Sequence, residues 1–152
     1  MNSPIFLTLE QFNQQVLDCQ DDAFTLAIAM VGDEQLACQI VQDVIFQVYF
    51  DQGNGTHPIY RYVLQGVILS CRRVNPDWYT ETIGIPGWKL LERQDQEVLL
   101  LVDMLGKTYQ DAAFILDSSC QEIVQYVAMS RLNLTRGNHA EIVPFADEVI
   151  SE

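Results

Sequence analysis

The sequence predicts an all-α protein made of two small helical domains joined by a linker. Three observations carry that expectation. Apolar residues recur at helical spacing almost throughout the 152 residues. Gly and Pro gather in only a few places. Thr, Ser and Asp stand where helix N-caps are needed. At 49% hydrophobic the chain has ample material for a core, which excludes disorder, and its length suits one ordinary domain or two small ones.

Taken in order, Thr8 caps a first helix that turns Leu9, Phe12, Val16 and Leu17 inward. A second helix runs from about Asp22 through Phe24, Leu26, Ile28 and Met30 to a stop at Gly32. Asp33 is a good N-cap for a long third helix carrying Leu36, Ile40, Val44, Phe46 and Val48. The stretch Asp51 to His57 reads as a loop, and Pro58 suits the first turn of a fourth helix that ends near Arg73. Residues 1–74 are thus expected to form one domain. The stretch 75–89, with Asn75-Pro76, Gly84, Pro86 and Gly87, reads as the linker, and Trp78, Tyr79 and Trp88 are expected to pack it on a domain surface.

The remaining residues, 90–152, have the rhythm of a helix-turn-helix. A helix from Leu90 to Leu105 stops at Gly106. Thr108 and Asp111 form a capping box for a short helix to Leu116, and Ser119 with Glu122 forms another for a helix burying Ile123, Val124, Val127 and Leu132. The tail after Gly137 is expected to be irregular, or a short helix from Phe145 to Ile150.

Charge narrows the function classes. Eight Lys and Arg residues stand against twenty-one Asp and Glu, a net charge of -13, and the first cation along the chain is Arg61. A phosphate-gripping protein needs a basic face, and a field this negative repels nucleic acid and anionic membranes alike. Cys19, Cys38, Cys71 and Cys120 are scattered, far from His57 and His139, so buried reduced thiols are expected and no metal or other cofactor. No signal peptide and no membrane-spanning stretch is seen, which points to the cytosol. The carboxylate pairs Asp21-Asp22 and Asp33-Glu34 are expected at helix starts, where the macrodipole favours anions. With no nucleophile elbow or glycine-rich phosphate loop, an enzyme is not expected.

Two segments carry a resemblance. Gly32 to Tyr49, with its Gly32-Asp33 turn, Gln42-Asp43 pair and Phe46, resembles region 2 of extracytoplasmic-function sigma factors. Glu92 to Leu101 followed by Gly106 to Leu116 is similar to the start of region 4 of the same family, in the same order and at the right separation. The resemblance spans about positions 20 to 136. It implies two helical domains that bind RNA polymerase, with Gln42, Asp43 and Phe46 on the polymerase-facing helix and Asp33 and Glu34 flanking them.

The DNA-contacting surfaces that the resemblance implies are depleted of charge. Tyr62 can stand for the aromatic at the melted promoter, but Gln65, Ile68 and Leu69 follow it where the family has basic residues, and only Arg72 and Arg73 remain. The recognition helix presents Gln121, Glu122, Gln125, Tyr126, Met129 and Asn133 as its outward face, with Arg131 the one cation before Arg136. Gln121 and Gln125 can read adenine, yet base contacts without phosphate contacts rarely hold a helix in place. The expected function is a sigma-factor mimic that engages an anti-sigma factor or core RNA polymerase and binds promoter DNA weakly or only with polymerase. The alternatives are a divergent working sigma factor, and an interaction or oligomerisation domain unrelated to transcription.

Overall fold

The first helix runs unbroken for 23 residues, Leu9–Val31, where two helices were expected. Between Leu17 and Asp22 no Gly or Pro interrupts the backbone, and Asp21 and Asp22 lie mid-helix, not at a helix start. The structure is a computed structural model that describes residues 7–51, 56–75 and 84–150, with side chains as far as 137. The linker residues Trp78 and Tyr79 lie outside that set. Among the described residues there is no strand, and no helix is long and apolar enough to cross a membrane.

Helix α1 (Leu9–Val31) begins at a full Thr8–Gln11 capping box and ends at Gly32, whose φ of 71° only glycine adopts without strain. Helix α2 (Glu34–Asp51) starts where Asp33 Oδ1 accepts the Leu36 N–H at 2.8 Å, as its N-cap role requires. Helix α3 (Ile59–Val74) begins one residue later than expected, with Pro58 as its N-cap. These three helices pack around Phe12, Ala23, Leu26, Met30, Ile40, Val63, Leu64 and Val67, all buried. The approach of α3 to α2 is close at Gly66, where an added Cβ would stand 2.7 Å from Val44 Cγ1. Leu9 and Leu17 face solvent, against expectation, because the continuous helix turns them away from α2 and α3.

The second group follows a 3-10 turn at Trp88–Leu90, whose indole is buried and which packs on the last helix. Helix α4 (Arg93–Leu99) widens into a π-helical turn over Leu100–Met104, closed by the Leu105 N–H on the Leu100 carbonyl. The chain then reverses at Gly106 (φ 68°) with the Lys107 N–H on the Leu101 carbonyl. Helix α5 (Tyr109–Ile115) carries the expected Thr108–Asp111 capping box, and Ser119 Oγ accepts the Glu122 N–H at the start of α6 (Cys120–Ile150). Helix α6 is one 31-residue element, so the tail is neither irregular nor separate. Gly137 lies inside it because an added Cβ would meet the Gly87 backbone oxygen at 2.9 Å. Ile123 and Val127 are buried as expected, but Val124 and Leu132 are exposed. Buried Ser130 explains part of that offset: its hydroxyl and the Asn133 amide turn inward to hold Asp95 of α4, at 2.8 and 3.2 Å.

Candidate protein-partner surface and the neutralised cations

The residues expected to face a protein partner lie on α2 and its N-terminal turn. Asp33, Glu34, Gln42, Asp43 and Phe46 are all exposed. One turn beyond Phe46, Phe50 is equally bare, at 67% against 66%, and the two rings meet edge to face at 5.1 Å. Tyr49 contacts Phe50 at 5.7 Å and Phe12 at 5.1 Å, so a ladder of rings runs from the core to the surface. Two phenylalanines this exposed add little to the core, and together they form a bare aromatic patch on α2. Phe50 was missed in the sequence, although its i+4 spacing from Phe46 places both on one helix face.

Of the three cations expected near DNA, Arg72 and Arg131 are engaged by carboxylates of the same chain, while Arg73 is exposed. Arg72 donates through Nε and Nη2 to both carboxylate oxygens of Glu97, at 2.8 and 2.6 Å, and the Glu97 side chain is 3% exposed. Hydrogen bonding to that carboxylate holds the guanidinium pKa further up than usual. Arg131 makes the same fork on Asp103, at 3.1 and 2.6 Å, in a solvent-exposed setting. Tyr62 does not face open solvent. Its hydroxyl accepts the Thr56 and His57 N–H groups, and its ring meets Phe114 of α5 edge to face at 5.3 Å. Arg73, Gln121 and Gln125 are exposed, whereas Tyr126 and Asn133 are part-buried and leave the expected outward face.

Two further cations, not singled out in the sequence, tie the helical groups together. Arg61 Nε and the Tyr60 hydroxyl both donate to Asp111 Oδ1, at 2.8 and 2.6 Å. Burial pushes the Asp111 carboxyl up, but the hydrogen bonds from Tyr60, Arg61 and Thr108 outweigh it and hold it below the usual carboxylate range. Lys107, positioned by the π turn, reaches Asp22 at 2.6 Å. Gln65 donates to the Phe114 carbonyl at 2.9 Å. A mid-helix Asp22 and a capping Asp111 read as local features in the sequence; their long-range partners leave no sequence signal.

Burial leaves the Cys19 and Cys71 thiols with pKa values of about 11 and about 12. Cys38 and Cys120 are exposed, unlike the buried thiols expected. Among the described residues no group of His, Cys, Asp and Glu side chains could hold a metal ion.

This set of features belongs to an all-helical fold of the sigma-factor type, with a helix-turn-helix in its second half. The likeness is borne out by solved structures, and the chain has the fold of an extracytoplasmic-function sigma factor. The structure of CnrH in complex with the cytosolic domain of CnrY matches with a TM-score of 0.73 over 85% of this chain and 88% of that one, at 16% identity. The sigma factor RpoE from Bartonella quintana, in complex with the anti-sigma factor NepR, matches with a TM-score of 0.65 over 85% and 97%, at 15% identity. No family model matches the chain, and no curated protein sequence does.

Proposed function

We propose that this chain is a cytoplasmic, non-enzymatic sigma-like regulator of two helical domains that acts by protein–protein binding and does not itself read promoters. The observation that carries the reading is the internal neutralisation of four of its eight cations: Arg61, Arg72, Lys107 and Arg131 each face a carboxylate of the same chain. Phosphate contacts set the position of a DNA-binding helix, and a guanidinium already held in bidentate geometry has to lose that partner first. The fold is retained around this loss. An exposed acidic and aromatic α2, with Asp43, Phe46 and Phe50, suits a partner that recognises sigma factors, either an anti-sigma factor or core RNA polymerase.

Affinity capture of the tagged chain from its own cell lysate, with bound proteins identified by mass spectrometry, tests the reading. A small regulatory protein or core polymerase is expected, and is lost when Phe46→Ser and Phe50→Ser are combined. Capture unaffected by that pair, or tight binding of the isolated chain to promoter DNA at physiological salt, overturns it. A working sigma factor is the second reading, favoured by the exposure of Arg73, Gln121 and Gln125. In that case Arg72→Ala with Arg73→Ala abolishes transcription directed by the chain.

A further inference from the structure

A cleft of about 210 Å³ opens on the seam between the two groups of helices. Arg72 of α3 stands on one side. Arg93, Gln94 and Glu97 of α4, Ser118 of the α5–α6 turn and Tyr126 of α6 stand on the other. The carboxylate in this lining is already engaged, because both Glu97 oxygens accept from Arg72, at 2.8 and 2.6 Å. That fork employs two of the five N–H donors of the guanidinium. The Ser118 and Tyr126 hydroxyls are poorly matched within the chain. Ser118 donates to the Leu116 carbonyl at 3.4 Å and Tyr126 to Glu122 at 3.5 Å, both longer than the about 2.5–3.0 Å of a good hydroxyl hydrogen bond. Two guanidiniums, a carboxamide and two hydroxyls thus surround one carboxylate, and the lining is rich in donors and positive by one charge.

We propose that this cleft binds a small organic oxyanion, a phosphomonoester or a dicarboxylate, and that the occupant links α3 to the second group of helices. Phosphate or carboxylate oxygens give Ser118 and Tyr126 the short acceptors they lack, and bonds to an ionised acceptor are the shorter and stronger kind. Size sets the upper limit on the ligand. The volume equals that of about seven waters and lies below the roughly 300 Å³ at which sites for drug-sized molecules begin. A nucleotide is too large for it. In a chain of net charge -13, an anion is held only where cations locally outnumber carboxylates, as they do in this lining. Because the lining comes from both groups, occupation stabilises their packed arrangement by mass action. The chain thereby gains a metabolite-sensitive element separate from the α2 surface.

The test records amide NMR spectra of the full chain, labelled with nitrogen-15, as inorganic phosphate, glycerol phosphate or succinate is added at a constant ionic strength of about 0.15 M. Saturable shifts are expected at the Arg93, Gln94 and Ser118 amides, with a dissociation constant of about 1 mM or below for at least one probe. A response to the two phosphates alone identifies the phosphomonoester class, and a response to succinate alone the dicarboxylate class. Arg93→Met is expected to weaken binding by about ten-fold or more, the effect of one charge-assisted contact. Combining Ser118→Ala with Tyr126→Phe removes both hydroxyls, keeps the ring, and weakens binding several-fold. Should one variant lose its helical circular dichroism, the other carries the test. Absence of saturable shifts with all three probes, shifts centred away from the cleft, or binding unchanged in the folded variants overturns the proposal. Because the isolated chain is used, this outcome is independent of which protein the lysate capture recovers.

Discussion

Replacing Arg72 by Met removes the partner of a carboxylate that is 3% exposed. Breaking a buried pair from one side costs about 3–5 kcal/mol, because a charge is left uncompensated. Arg72 itself is 34% exposed and the adjoining cleft admits water, so screening reduces the expected loss to about 2 kcal/mol. Glu97→Gln leaves one amide oxygen to accept from the guanidinium, in place of two carboxylate oxygens, and costs about 1 kcal/mol. The double variant has no buried charge, and its expected cost is also about 1 kcal/mol, well short of the sum of roughly 3 kcal/mol. Urea unfolding followed by circular dichroism measures all four corners of the cycle, with a common slope as the check on two-state behaviour. Additivity within about 0.5 kcal/mol would refute the reasoning, since it would mean that the pair is a surface contact and holds nothing together.

The Asp111 carboxyl titrates below its unfolded value, so the unfolded state binds the extra proton in acid and stability rises with pH. Its contribution is complete above the ordinary carboxylate value of about 3.9 and is lost as pH falls through the lower folded value. Acid unfolding of Asp111→Asn should show a shallower slope in that window, and an unchanged slope contradicts the assignment. Phe46→Ser and Phe50→Ser remove exposed rings and should change stability by less than about 1 kcal/mol by thermal unfolding, while abolishing partner capture; a large drop in stability would place the rings in the core. Ellman's reagent should titrate Cys38 and Cys120 quickly in the native protein and reach Cys19 and Cys71 only in urea, because burial keeps the latter pair protonated. Rapid reaction of all four thiols would contradict the packing of α1 and α3.

Helix caps were legible because their chemistry is local. Thr8, Asp33, Thr108 and Ser119 each bond a backbone N–H three residues on, and each can be read from a four-residue window. The all-helical class followed from them. The break expected near Asp22 was wrong because a run of polar residues resembles a turn by composition, yet Asp18 to Asp22 contains no residue that helical backbone excludes. The helix beyond Gly137 was missed for a related reason: glycine there serves a close helix approach to Gly87, a tertiary cause that mimics a stop signal. At the candidate surface the sequence gives residue types but not their commitments. Asp111 was visible as a cap, while its bonds to Tyr60 and Arg61, some fifty positions away, depend on how α5 meets α3. Asn133 looked outward from helical spacing alone and is turned in by Asp95.

The central claim is binding to the transcription machinery or its regulators without promoter reading. Transcription of genomic DNA by core RNA polymerase from the same cells, with and without the purified chain, tests it most directly when the 5′ ends of the transcripts are sequenced. The account predicts that the chain alone adds no new start sites and lowers initiation by a genuine sigma factor when polymerase is its partner, or raises it when an anti-sigma factor is present to be captured. Discrete new start sites that depend on the chain and disappear with Arg72→Ala and Arg73→Ala would contradict it and make the protein a working sigma factor.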